Sequence, residues 1–176
     1  RWVEAITGQP LDAWIGQRLL GPLGLRDSSY VDRDDLGPRT APGHDDLGQA
    51  MPRPRLVHAN AAATLQTTAA DYARFVQAQL ADRAMLDTLT AQPVEVDPES
   101  GVSWGLGWGL SRAAGDLRLW HWGNNPGYRA FVMVSLGTGD GLVLLTNGPS
   151  GLRLARALAG RVLPHTESLF GFRMLS

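Results

Sequence analysis

Cysteine and lysine are both absent from this chain of 176 residues, and all 16 of its basic residues are arginine. Without cysteine there are no disulfides and no thiolate metal sites. Without lysine, a mechanism that uses a lysine base or a Schiff base cannot be completed by these residues alone. The formal net charge of −1 provides no basic excess for a nucleic-acid partner. No apolar run is long enough to cross a bilayer, and the N-terminus lacks the basic, apolar and small-residue succession of a signal peptide. His44-Asp45-Asp46 is one imidazole beside two acids with no second ligand at defined spacing. It reads as solvated surface, and no cofactor or metal is expected.

What is present suits one domain with its own core: hydrophobic residues make up 44% and charged residues 19%. Trp2, Val3 and Ile6 fall at helical spacing before Thr7-Gly8, like the last turns of a helix whose beginning is missing. Pro10 suits a first helical position, and Leu11, Trp14, Ile15, Leu19 and Leu20 form one apolar face. Residues 26–60 are rich in Asp, Pro, Gly and Arg and read as a long ordered loop. Thr68, with Asp71 three positions on, starts a helix that runs to about Leu80 or Ala81. A short helix follows around residues 85–89, and residues 94–103 read as a loop. Short aromatic and β-branched runs separated by Gly/Asp turns then predict antiparallel strands through Thr146. An amphipathic helix follows from Gly151 to Val162, stopped by Pro164, and the tail is left unassigned. Helices and a long loop, then strands, then a helix give an α+β fold: an antiparallel sheet flanked by helices.

The densest chemistry lies at Trp120-His121-Trp122-Gly123-Asn124-Asn125-Pro126-Gly127-Tyr128. An imidazole, two indoles, two glycines and two side-chain amides crowd what reads as a connection between strands. Glycine lets a ligand approach the backbone, and the amides can orient it, so the stretch reads as a site wall.

Four stretches resemble one family in order and spacing. Residues 4–11 with 20–30 are similar to its helix-turn before a long loop. Residues 61–75, carrying Thr67-Thr68-Ala69-Ala70-Asp71, are similar to its T-x-x-D helix. Residues 104–109 match its Gly-Leu-Gly-Trp-Gly run. His121-Trp122-Gly123, then Pro126-Gly127-Tyr128 and residues 142–148, resemble its K-T-G or H-x-G strand, the turn, and the closing strand. The chain resembles the C-terminal half of the serine β-lactamase and penicillin-binding-protein-like hydrolases, nearest the class C β-lactamase, D-Ala-D-Ala carboxypeptidase and esterase branch.

That resemblance implies acyl-enzyme chemistry on an ester, peptide or lactam, and often an exported or periplasmic protein. It also implies what is missing. The family's S-x-x-K nucleophile and Y-x-N motif precede the stretch corresponding to Arg1, and nothing here matches either. By position, His121 stands where the lysine stands, Trp122 at the threonine and Gly123 at the glycine. The backbone N–H of Asn124 is then the expected oxyanion donor. His121 and Asn124 are the candidate catalytic positions; Trp122, Gly123 and Asn125 are the candidate substrate-binding ones. A lysine is a fixed cation near neutral pH, whereas imidazole titrates near about 6.5. The exchange favours an esterase- or amidase-like relative, and Trp122 narrows the pocket.

The expected unit is a single partial domain over residues 1–176, inactive alone. In the family the strand corresponding to residues 142–146 pairs with an N-terminal strand that is not here. That edge, and the face near Trp2 and Trp14, should be covered by a missing N-terminal half or a second copy of the chain. The substrate would be a small molecule or peptide. The alternative is a degenerate, non-catalytic relative that binds peptidoglycan-like peptides or a protein partner.

Overall fold

Two-residue turns dictate the sheet. In the computed structural model, which describes residues 2–175, six strands run antiparallel in chain order, each beside its sequence neighbour. They are β1 Val94–Asp97, β2 Val102–Trp104, β3 Gly109–Ala113, β4 Asp116–Asn125, β5 Tyr128–Ser135 and β6 Gly141–Thr146. Ala114 (φ 51°) and Gly115 (φ 83°) join β3 to β4 with both residues in the left-handed region, as a hairpin turn that follows strand twist requires. The α+β class is as the sequence indicated, with flanking helices, but there are six strands.

Residues 94–103 read as a loop; with Trp104 they form the β1–β2 hairpin instead. Val94 and Val96 do alternate with acids, but β1 is an edge strand and both valines remain exposed. A strand in solvent on both faces has no apolar side to reveal it. The run from Trp104 to Leu110 is likewise two strands with a bend, because Gly105 bonds back to the Trp108 carbonyl at 2.8 Å.

The chain forms two compact units: one through Pro42 with Met51–Ala78, the other Gly43–Ala50 with residues from Gln79 on. In the second, alternation along β4 places Arg118, Trp120 and Trp122 on one face and Leu119 and His121 on the other. Trp120 is fully buried and packs with Phe131 and Met133 of β5, and with Ala155 and Ala159 of α5 (Gly151–Val162). The tail, which shows no periodicity, supplies Leu169, Phe170, Phe172 and Leu175 to this core. Phe172 meets Trp120 edge-on at 5.9 Å. Gly151 opens α5 where any side chain would strike Thr146 and Arg129.

The first unit holds α1 Trp2–Thr7, then α2 Leu11–Ile15, which widens into a π-turn over Gly16–Leu20, and most of α3 Ala69–Ala81. Thr68 Oγ1 accepts the Asp71 N–H at 3.1 Å, so the start of α3 is capped as its sequence indicates. Asp71 is 2% exposed and ties the start of the long loop to α3. Its carboxylate accepts from the Asp27 N–H at 2.8 Å, the Ser28 hydroxyl at 2.9 Å and Arg74 Nη1 at 2.7 Å. Burying a carboxylate is tolerable only when it is bonded this fully. In the long loop, Asp32 takes bonds from Arg53 and from the Leu56 N–H. By contrast α1 buries nothing, leaving Trp2 84% and Ile6 79% exposed.

At the far end of the sheet, buried Arg118 donates Nε to Asp116 at 2.9 Å. Asp116 also accepts from the Ser135 hydroxyl and the Gly137 N–H. Burial acts to raise the Asp116 carboxyl, but these bonds and the arginine charge outweigh it and hold the pKa below 3.8. A depressed carboxylate contributes stability that is complete above the unfolded value and is lost as pH falls through the folded one. Thermal melts from pH 7 to pH 2 should show this contribution disappear below about pH 4. Asp116→Asn should flatten that acid limb and cost roughly 3 kcal/mol at neutral pH, because it leaves the buried guanidinium without its counter-charge. Asp71→Ala should lower stability by about 2–3 kcal/mol in denaturant melts, since it orphans the Asp27 N–H and the Ser28 hydroxyl.

Candidate functional site

The sequence placed residues 120–128 in a connection; the structure places nearly all of them in a strand. β4 continues unbroken to Asn125, and the connection is only Pro126–Gly127. Proline at the first turn position and Gly127 at φ 77° at the second are what a tight turn of this kind needs. Indoles suit a pleated surface, so the aromatic residues continue the strand.

The register then fixes which backbone groups are free. Asn125 and Tyr128 flank a two-residue turn, so they form a hydrogen-bonded pair. Such pairs recur every second residue, so Gly123 with Ala130 and His121 with Val132 also exchange bonds. Trp120, Trp122 and Asn124 therefore direct N–H and C=O the other way, toward β3. Trp120 finds Gly109 there, but Gly109 is where β3 begins. Beyond it, among the described residues, β4 has no strand partner on that side. The backbone groups of Trp122 and Asn124 border an open edge.

Each predicted residue can now be placed. The Asn124 N–H points to the open edge, and its side chain is exposed. Gly123 faces Ala130, with a hypothetical side-chain carbon 3.4 Å from the alanine methyl, so it leaves that face low. The Asn125 carbonyl accepts from Arg129 Nη1 at 3.0 Å, a strap across the turn. The Trp122 indole lies with Trp120 and Phe172 on the core face, half-buried, so it supports the strand more than it narrows a pocket. Alternation would send His121 to the opposite face, but its half-buried ring turns back over the strand edge, and its Nδ1 lies 2.9 Å from both the Trp122 nitrogen and the Trp122 carbonyl oxygen. The imidazole stacks on the Trp122 ring at 5.5 Å, and Trp104 stands edge-on to it at 5.3 Å.

Sequence reasoning missed His44 as a neighbour of this site. Its Nδ1 lies 2.9 Å from the Asn147 carbonyl, and the His44 backbone N–H donates to the Gly127 carbonyl at 3.4 Å. The ring thus pins residues 43–50 against the hairpin turn and the end of β6. A partner 103 positions away leaves no local signal. Asp45 instead closes its own turn by accepting from Leu47 and Gln49. Among the described residues, no three His, Asp or Glu side chains are grouped to hold a metal. A cavity of about 110 Å³ exists in the first unit, walled by Leu25, Tyr30, Leu65, Tyr72 and Phe75. It contains none of the candidate residues; burial pushes both tyrosine hydroxyls up, and the lining suits packing rather than acyl chemistry.

Residues 1–166 match the family model described as Beta-lactamase. Penicillin-binding protein 4 of Amycolatopsis lactamdurans is 30% identical, over 84% of this chain and 44% of its own. A β-lactamase/D-alanine carboxypeptidase from Pseudomonas syringae superposes with a TM-score of 0.73 at 20% identity, covering 90% of this chain and 54% of its own. The D-amino acid amidase of Ochrobactrum anthropi, solved with L-phenylalanine amide, gives a TM-score of 0.72 at 23% identity, covering 97% and 54%. At these identities the two structures establish the fold. The chain spans about half the length of the curated relative and of both solved structures.

Gly109 is the residue that lets the aromatic rings close at this edge. A side-chain carbon there would fall 2.5 Å from Trp120 and 2.9 Å from Trp104. Gly109→Ala should therefore cost about 1–3 kcal/mol in chemical denaturation and shift the near-ultraviolet tryptophan dichroism. Gly107→Ala, at an open position with φ 77°, should cost about 1 kcal/mol and leave that spectrum unchanged.

Proposed function

Because the chain belongs to the beta-lactamase family of hydrolases, we propose that it is the C-terminal portion of a serine hydrolase that works through an acyl-enzyme. In this reading residues 1–176 form a single partial domain. It supplies one wall of the cleft, and the attacking serine comes from a segment outside this chain. The observation that carries the reading is the open edge of β4 at Asn124. A main-chain N–H fixed by a hairpin is a preorganised donor for the oxyanion that forms when a hydroxyl attacks an ester, amide or lactam carbonyl. Gly123 keeps the strand low beside it, so an acyl group can approach. His121 takes the strand position that would otherwise carry a permanent cation, which directs the site toward esters or amides without a free carboxylate.

The partner in this reading is an N-terminal half. Two features support it: β6 is paired on one side only, with Leu145 partly exposed, and α1 presents Trp2 and Ile6 to solvent. Among the described residues no helix is long and apolar enough to cross a membrane.

The absence of lysine favours a second reading, a non-catalytic relative that keeps the wall to bind peptides or a protein. Labelling with a fluorophosphonate separates the two. The isolated chain should show no covalent adduct. Co-expression with the N-terminal half of a relative should give an adduct on that half, and deleting residues 124–127 should abolish it. An adduct on the isolated chain would contradict the first reading. No adduct in any combination, with peptide binding retained, would favour the second.

A further inference from the structure

One ring nitrogen stands against both backbone groups of the first free residue on the edge. His121 Nδ1 is 2.9 Å from the Trp122 nitrogen and 2.9 Å from its carbonyl oxygen. The nitrogen can serve only one of them at a time. Unprotonated, Nδ1 accepts the Trp122 N–H; protonated, it donates to the Trp122 C=O. An incoming strand bonds to a residue through both groups together. Either state of the ring therefore takes half of what such a strand would use at Trp122. Trp104 adds bulk at the same place, its ring 5.3 Å from His121 and 5.8 Å from Trp122, both nearly edge-on. Asn124, two residues and about 7 Å further along, has no such cover.

We propose that His121 is a specificity-determining plug. Its imidazole, backed by Trp104, closes the β4 edge at Trp122 and leaves only Asn124 for ligand pairing, so the chain accepts a short acyl group and discriminates against extended peptides. The proposal rests on the reading of that edge as a ligand wall. It also accounts for an aromatic amphoteric residue where a long cation would leave the strand edge clear. A substrate one residue long loses nothing to the plug. A peptide that runs along the strand loses one backbone pair.

The test uses this chain, uniformly labelled, with His121→Ala and His121→Phe. The phenylalanine keeps the ring packing and removes the acceptor. Amide exchange at Trp122 should rise roughly tenfold in both variants, and acetyl-trialanine amide should then be titrated into all three proteins. In the wild type the peptide should shift Asn124 alone. In both variants it should shift Trp122 and Asn124 and bind about five- to tenfold more tightly. Acetylglycine methyl ester, too short to reach Trp122, should bind all three proteins equally. Unchanged Trp122 exchange, or equal peptide shifts at Trp122 in all three proteins, would overturn the plug and leave the edge reading intact. If exchange rises but neither probe moves Asn124 in any protein, the edge is no ligand wall, and the specificity claim falls with it.

Discussion

The length difference between β3 and β4 is the constraint on which the rest depends. Ala114–Gly115 sets where β4 enters the sheet, and Pro126–Gly127 sets where it leaves. Between them β4 runs from Asp116 to Asn125, while β3 is exhausted at Gly109 opposite Trp120. From Arg118 to Trp120 the strand is paired on both sides, and among the described residues those after Trp120 pair with β5 alone. Because side chains and backbone groups both alternate, this mismatch decides which amides are spent in the sheet and which are left over. Trp120 anchors the boundary: it is fully buried, with Trp104, Trp122 and Phe172 around it, so the strand cannot slide without exposing that cluster.

Polar groups placed away from the edge hold this frame. Asp116 joins Arg118 to Ser135 and the Gly137 amide, locking the end of β4 opposite the site. Asp71 does a similar task in the first unit, fastening the start of the long loop to α3. Both carboxylates join segments far apart in sequence. Neither is at the candidate site, so their charge serves the scaffold. At the edge itself His121 bonds its own neighbour and Arg129 straps the turn. A strand end held by a rigid frame is the arrangement preorganisation requires.

Much of the fold was legible because its signals are local. Thr68 and Asp71 announce α3, Gly151 and Pro164 bracket α5, and Pro126–Gly127 marks the turn. Residues 94–97 were not legible as a strand because β1 is the sheet edge, where valine and glutamate are equally wet. The tail was not legible because Phe170 and Phe172 are recruited by a core whose other members, Trp120 and Phe131 among them, stand on earlier strands and on α5. Asn124 and Gly123 are candidates for the site by their place in a motif. The orientation of the Asn124 amide needed the register, which depends on a turn two residues long and so was implicit in the sequence. The fold of His121 back onto Trp122 was not implicit. Nothing in the order His-Trp-Gly specifies that the ring turns toward its own strand edge, because Trp104 closes over it from another strand.

Amide hydrogen exchange along the last residues of β4 tests the central claim most directly. If β4 has lost its partner on the β3 side after Trp120, protection must alternate: Gly123, bonded to β5, should exchange slowly, and Asn124 should exchange at least a hundredfold faster, near an unstructured rate. Equal, strong protection of Gly123 and Asn124 would mean that the edge is covered in solution, and the account built on it would be wrong.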